Sequence, residues 1–76
     1  GMVTIRLPIG NEEASKMSLA NWIVGEARVP EVAIGEIEIG NEASMVEIHV
    51  KKASYVIDVL KSRKFNGRSL KPEIIN

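Results

Sequence analysis

Hydrophobic and polar positions alternate with a period of two along some stretches of this chain and repeat with a helical period along others. In "MVTIRLPI", Val3, Ile5 and Leu7 share one side and Thr4 and Arg6 the other, which predicts a half-buried strand ending near Pro8. Gly10 and Asn11 then turn the chain. "SLANWIVGEA" spaces Leu19, Trp22, Ile23 and Ala27 for one helical face, with Ser18 as the expected N-cap and Pro30 as the limit. Gly25 weakens that helix by about 1 kcal/mol relative to alanine, so its expected use is close packing against a neighbouring strand. "AIGEIEIG" alternates again, with Ile37 and Ile39 inward and Glu36 and Glu38 outward. Gly40-Asn41 links it as a hairpin to "GNEASMVEIHV", with Ser44, Val46, Ile48 and Val50 inward and Met45, Glu47 and His49 outward. "KKASYVIDVLKSR" places Ala53, Val56, Ile57 and Leu60 on one helical stripe, and Lys61 and Arg63 at its end suit the helix dipole. After a turn at "NGR", "SLKPEII" reads as a strand with Leu70, Pro72 and Ile74 inward, and Pro72, lacking a donor, makes it an edge.

The predicted order is βαββαβ, an α+β ferredoxin-like sandwich in which two helices cover one face of a four-stranded antiparallel sheet and leave the other open. "IGNEEAS" at 9–15 echoes "IGNEAS" at 39–44. These segments follow the first and second strands, which are not equivalent positions in the two halves, so shared turn chemistry explains the echo better than a repeat.

Composition narrows the class. The chain of 76 residues is 45% apolar and 26% charged, values of a folded domain and not of a disordered one. A domain of this size buries only about 60% of its unfolded surface, so no second domain fits. Gly1 is expected to be a remnant of tag removal and Met2 a start residue, leaving 3–76 as a single domain. There is no cysteine for a disulfide or a thiolate metal site. No apolar run approaches the roughly 20 residues of a membrane span, so no membrane partner is expected and a cytoplasmic location is.

The formal charge of zero conceals a division. Residues 1–50 hold three cations (Arg6, Lys16, Arg28) against eight glutamates, a net −5; residues 51–76 hold seven cations against Asp58 and Glu73, a net +5. Such asymmetry suggests one surface that attracts polyanions and another that does not. In "KSRKFNGRSLK", Lys61, Arg63, Lys64, Arg68 and Lys71 stand without an acid, a pattern suited to phosphates because each one neutralised releases counterions. Helix-end charge and a solvated turn account by themselves for Lys61 and Arg63. The open face should show Thr4, Arg6, Glu36, Glu38, Ala43, Met45, Glu47, Lys71 and Glu73. It holds no aromatic ring to stack a base, a contact worth about 1–3 kcal/mol, and its carboxylates repel phosphate. A solvated surface with cross-strand pairs is the simpler expectation there, with Arg6 or Met45 left to meet a base. Trp22 and Phe65 are expected to pack on the core, Tyr55 to cap the helical stripe, and the lone His49 to serve a strand end. One histidine, one aspartate and no phosphate-cradling glycine loop predict no catalytic residue, no cofactor and no metal.

"IVGEARVPEVAIGEIEI" (23–39), "SMVEI" (44–48) and "FNGRSLKPEI" (65–74) carry a resemblance that runs over nearly the whole chain from Val3. Its most specific parts are Gly25-Glu26-Ala27 followed by Pro30, Ile34-Gly35, Val46-Glu47 and Gly67-Arg68. They resemble the DbpA-type RNA-binding domain, the RNA-recognition-motif-like module at the C-terminus of certain bacterial DEAD-box ATP-dependent RNA helicases. The resemblance implies the fold already predicted, structured RNA (ribosomal in the cases that named the family) as partner, and a helicase core in cis. It does not imply that this chain is itself an enzyme. This sequence departs from the family where Ala43 and Met45 replace two phenylalanines, and where Thr4 replaces an aromatic ring, at positions where such motifs stack bases. Those replacements leave a second role open, a module serving protein interaction or homodimerisation.

Overall fold

In the computed structural model, which describes residues 1–76, the predicted stretches form β1 (Met2–Leu7), α1 (Lys16–Ala27), a 3-10 turn (Glu31–Ala33), β2 (Ile34–Ile39), β3 (Ser44–His49), α2 (Val50–Lys61), β4 (Lys64–Phe65), β5 (Arg68–Ser69) and β6 (Glu73–Ile74). Four strands make one antiparallel sheet in the order β2-β3-β1-β6, while β4 and β5 form a separate hairpin. The chain is thus an α+β fold of two helices and a four-stranded antiparallel sheet. Its element order is longer than βαββαβ by the two hairpin strands.

The inward alternation is borne out by burial. Ile5, Leu7, Ile37, Val46 and Ile48 of the sheet join Leu19, Ile23 and Ala27 of α1 and Ala53, Val56, Ile57 and Leu60 of α2 in one core. Each fully buried Leu or Ile contributes about 1.5–3 kcal/mol, so this layer holds the fold without a staple. Both helices therefore cover the same face.

Several local expectations are corrected. Ser15, not Ser18, caps α1: its Oγ accepts the Ser18 N–H (3.1 Å), while Ser18 Oγ accepts the Ser15 N–H (2.9 Å), a reciprocal box three residues apart. At Gly25 a Cβ would meet nothing within 4 Å, so close packing is not its use and nothing in the fold explains it. Val50 opens α2 and is exposed, because His49 ends β3 as the helix N-cap, its Nδ1 accepting the Lys51 N–H at 3.1 Å. Leu70 and Pro72 are buried as expected, but Ile74 is 57% exposed, since β6 is a two-residue edge strand.

The two echoing loops lie side by side. Asn11 N–H donates to Gly40 O (2.9 Å), Asn11 Nδ2 donates to Asn41 Oδ1 (3.4 Å), and the buried Ser44 Oγ–H donates to Ile9 O (2.6 Å). An alanine Cβ at Gly10 would stand 2.0 Å from Asn41 O, so only glycine permits this approach.

Candidate nucleic-acid interface

The cationic segment after α2 folds back as the β4–β5 hairpin. Asn66 and Gly67 both have positive φ (50° and 78°), the backbone of a type I′ turn, which Asn-Gly favours above other dipeptides. Lys64 pairs with Ser69 and Phe65 with Arg68. Directly opposed residues share a face and successive residues alternate, so Phe65 and Arg68 occupy one face and Lys64 and Ser69 the other.

The Phe65–Arg68 face is fastened to the domain. The Phe65 ring meets Trp22 of α1 edge-on, with centroids 5.1 Å apart and planes at 81°. Arg68 Nη2 donates to Pro8 O (3.0 Å) and to Glu13 Oε1 and Oε2 (2.6 Å each), reaching across to the loop between β1 and α1. That loop holds Glu13 from behind, since Gly10 N–H donates to Glu13 Oε1 (3.4 Å). The hydrogen bond from Arg68, then that from Gly10, keep the Glu13 carboxyl below its ordinary value of 4.5 against the opposing effect of desolvation. Just before β4, Arg63 Nε lies 3.2 Å from Glu26 Oε1 of α1.

The five cations expected to act together are thus of two kinds. Arg63 and Arg68 are half-exposed and engaged by carboxylates. Lys61 at the end of α2, Lys64 on the outward side of β4, and Lys71 between β5 and β6 are exposed and form no ion pair. Arg6, the sixth expected cation, faces Glu73 across the β1–β6 pair at 3.6 Å.

The open sheet face has the expected character. Thr4, Glu36, Glu38, Met45 and Glu47 line a shallow concavity of about 230 Å³. Met45 is half-buried among carboxylates, and Glu36, Glu38 and Glu47 form no ion pair. Glu47 also serves the backbone, since its Oε1 accepts the Glu36 N–H at 3.0 Å, where β2 bulges between Ile34 and Ile37. A Cβ at Gly35 would stand 2.9 Å from that same oxygen. Ala43 and Lys71, also expected on this face, lie outside the strands, Ala43 in the β2–β3 turn, where its carbonyl accepts the Gly40 N–H, and Lys71 in the segment before β6. Trp22 and Phe65 turn away to the helical side, and Tyr55 is exposed on α2.

Sequence reasoning missed the fasteners Glu13 and Glu26, which lie 55 and 37 positions from their arginines and carry no local signal. The hairpin was findable: Asn-Gly between two short runs marks one. No helix is long and apolar enough to cross a membrane. A family model for the DbpA RNA binding domain matches residues 4–74. Among curated proteins, none matches the chain.

Proposed function

The chain belongs to the DbpA RNA binding domain family, and from that premise we propose that it tethers a DEAD-box RNA helicase, whose catalytic core lies outside these residues, to structured RNA of ribosomal type. The family supports RNA as partner and a binding role without catalysis. In this proposal the hairpin is an insertion in a βαββαβ plan, and the phosphate backbone meets residues 61–71, with Arg6 and Met45 within reach of a base. The observation that carries it is that Lys61, Lys64 and Lys71 stand exposed and unpaired along one short segment, while the open sheet offers no ring and three unpaired glutamates.

Three lysine–phosphate contacts give a slope of log Kobs against log salt of about −2 with the coefficient of single strands and about −2.7 with that of a B-form duplex. Binding of an RNA hairpin, followed across a salt series by anisotropy, should show that slope. Replacing Lys61, Lys64 and Lys71 together by glutamine should abolish it. A triple variant with unchanged affinity and slope removes this site.

A second role is favoured by the unpaired Glu36, Glu38 and Glu47: a protein-interaction or dimerisation module using the open face. A folded sample that sediments as a dimer and shows no RNA-induced amide shifts at low salt would favour it.

A further inference from the structure

The three contacts that fasten the hairpin separate two roles that the charge run merges. Arg68 spends one nitrogen, Nη2, on both Glu13 oxygens and on the Pro8 carbonyl. It shares its face of the hairpin with Phe65, which packs on Trp22, while Lys64 lies on the opposite face. The hairpin itself is only two residues on each strand, far too short to hold its place alone. We propose that Arg68 and Glu13 are positioning residues, a buckle that holds the β4–β5 hairpin against the β1–α1 loop so that Lys64 is presented to RNA, and that Arg68 itself contacts no phosphate. This rests on the RNA-binding role above and assigns different work to residues of the same site.

The alternative, Arg68 as a phosphate contact with Glu13 as its competitor, predicts opposite signs. A competing carboxylate lowers RNA affinity, so its removal would tighten binding; a buckle positions the hairpin, so its removal weakens binding. The number of counterions released separates the two further. It counts phosphates neutralised, and loss of order in the hairpin does not change that count.

The experiment measures RNA-hairpin affinity across a salt series for the parent chain, Glu13→Gln, Arg68→Gln, the double variant, and Lys64→Gln. Amide hydrogen exchange over residues 64–69 is followed without RNA. Glu13→Gln and Arg68→Gln should each weaken binding about two- to tenfold, the cost of re-ordering a loosened segment on association, at unchanged slope. The double variant should be no worse than either single one, because both break one interaction. Lys64→Gln should reduce the slope by about 0.7–0.9. Exchange over 64–69 should speed up in both buckle variants and stay at the parent rate in Lys64→Gln.

Tighter binding by Glu13→Gln, or a slope lowered by Arg68→Gln, would overturn the assignment. Unchanged exchange in Glu13→Gln would overturn it independently of RNA. A parent chain that binds no RNA while exchange still quickens in Glu13→Gln would instead remove the RNA-binding role, and the presentation of Lys64 with it, leaving only the mechanical link.

Discussion

Gly10→Ala should destabilise the domain severely while Gly25→Ala should stabilise it, although helix propensity alone favours alanine at the second position and is silent about the first. At Gly10 the added Cβ meets backbone, 2.0 Å from Asn41 O and 2.8 Å from Asn41 C, so no side-chain rotation can relieve the clash. One loop must move. Overpacking of this kind costs about 1–3 kcal/mol. Displacing the loops also endangers the bond from Asn11 N–H to Gly40 O, worth about 0.5–1.5 kcal/mol. The sum is about 1.5–4.5 kcal/mol, against a total stability of about 4–11 kcal/mol for 76 residues. At Gly25, on the exposed side of α1, nothing lies within 4 Å, and alanine should gain up to about 1 kcal/mol. Urea unfolding followed by Trp22 fluorescence measures both, as shifts of the midpoint at constant slope. A Gly10→Ala protein within about 0.5 kcal/mol of the parent, a change typical of unremarkable surface sites, refutes the clash. Because Gly10 N–H also holds Glu13, a folded Gly10→Ala protein should exchange amides faster across 64–69.

Three further outcomes are expected. The Glu13 carboxyl has a folded-state pKa below 4.5, so its contribution is present above that value and is lost as pH falls through the lower folded value; Glu13→Gln should flatten the acid limb of stability there and leave its shape at neutral pH unchanged, as urea midpoints across the range would show. Ser44→Ala leaves the Ile9 carbonyl without its 2.6 Å donor at a fully buried site and should cost about 1–3 kcal/mol in the same unfolding assay. Met45→Phe puts a ring on the open face within reach of a base, where stacking is worth about 1–3 kcal/mol per base, so affinity for single-stranded RNA should rise about fivefold or more; an unchanged affinity would show that bases do not reach the sheet.

The parts of the fold that were legible in the sequence are those set by burial. Ile5, Leu7, Val46 and Ile48 alternate because one side of each strand faces the helices, and the α2 stripe of Ala53, Val56, Ile57 and Leu60 is buried throughout. The errors fall where burial does not decide. Ser15 and Ser18 are equally plausible caps until the box between them is seen, and Val50 continues the strand alternation although His49 has already ended the strand. Ile74 fits the alternation too, but the sheet edge leaves it uncovered. Gly25 misled because a glycine in a helix invites a packing explanation, and here there is no neighbour to pack. The motif pieces Ile34-Gly35 and Val46-Glu47 are legible afterwards as one feature: Glu47 caps the bulge that Gly35 makes room for.

The candidate site was legible as a charge run but not as a mechanism, because a sequence treats lysine and arginine alike. The fold does not. Arg6, Arg63 and Arg68 each meet a glutamate, whereas none of the six lysines forms an ion pair. A guanidinium is planar, rigid and weakly hydrated, so the Nη2 of Arg68 can be fixed against a carboxylate and a backbone carbonyl together; an ammonium on a flexible stem is a strongly hydrated point charge that loses more by being fixed. Three of the four arginines, all but Arg28, therefore tie elements of this small domain to one another, and the lysines are left for what lies outside it. Exchanging the two types tests this sorting: Arg68→Lys keeps the charge but puts a strongly hydrated ammonium on a flexible stem in place of the rigid guanidinium, so it should loosen the hairpin nearly as much as Arg68→Gln. If charge alone fastened it, Arg68→Lys would exchange at the parent rate.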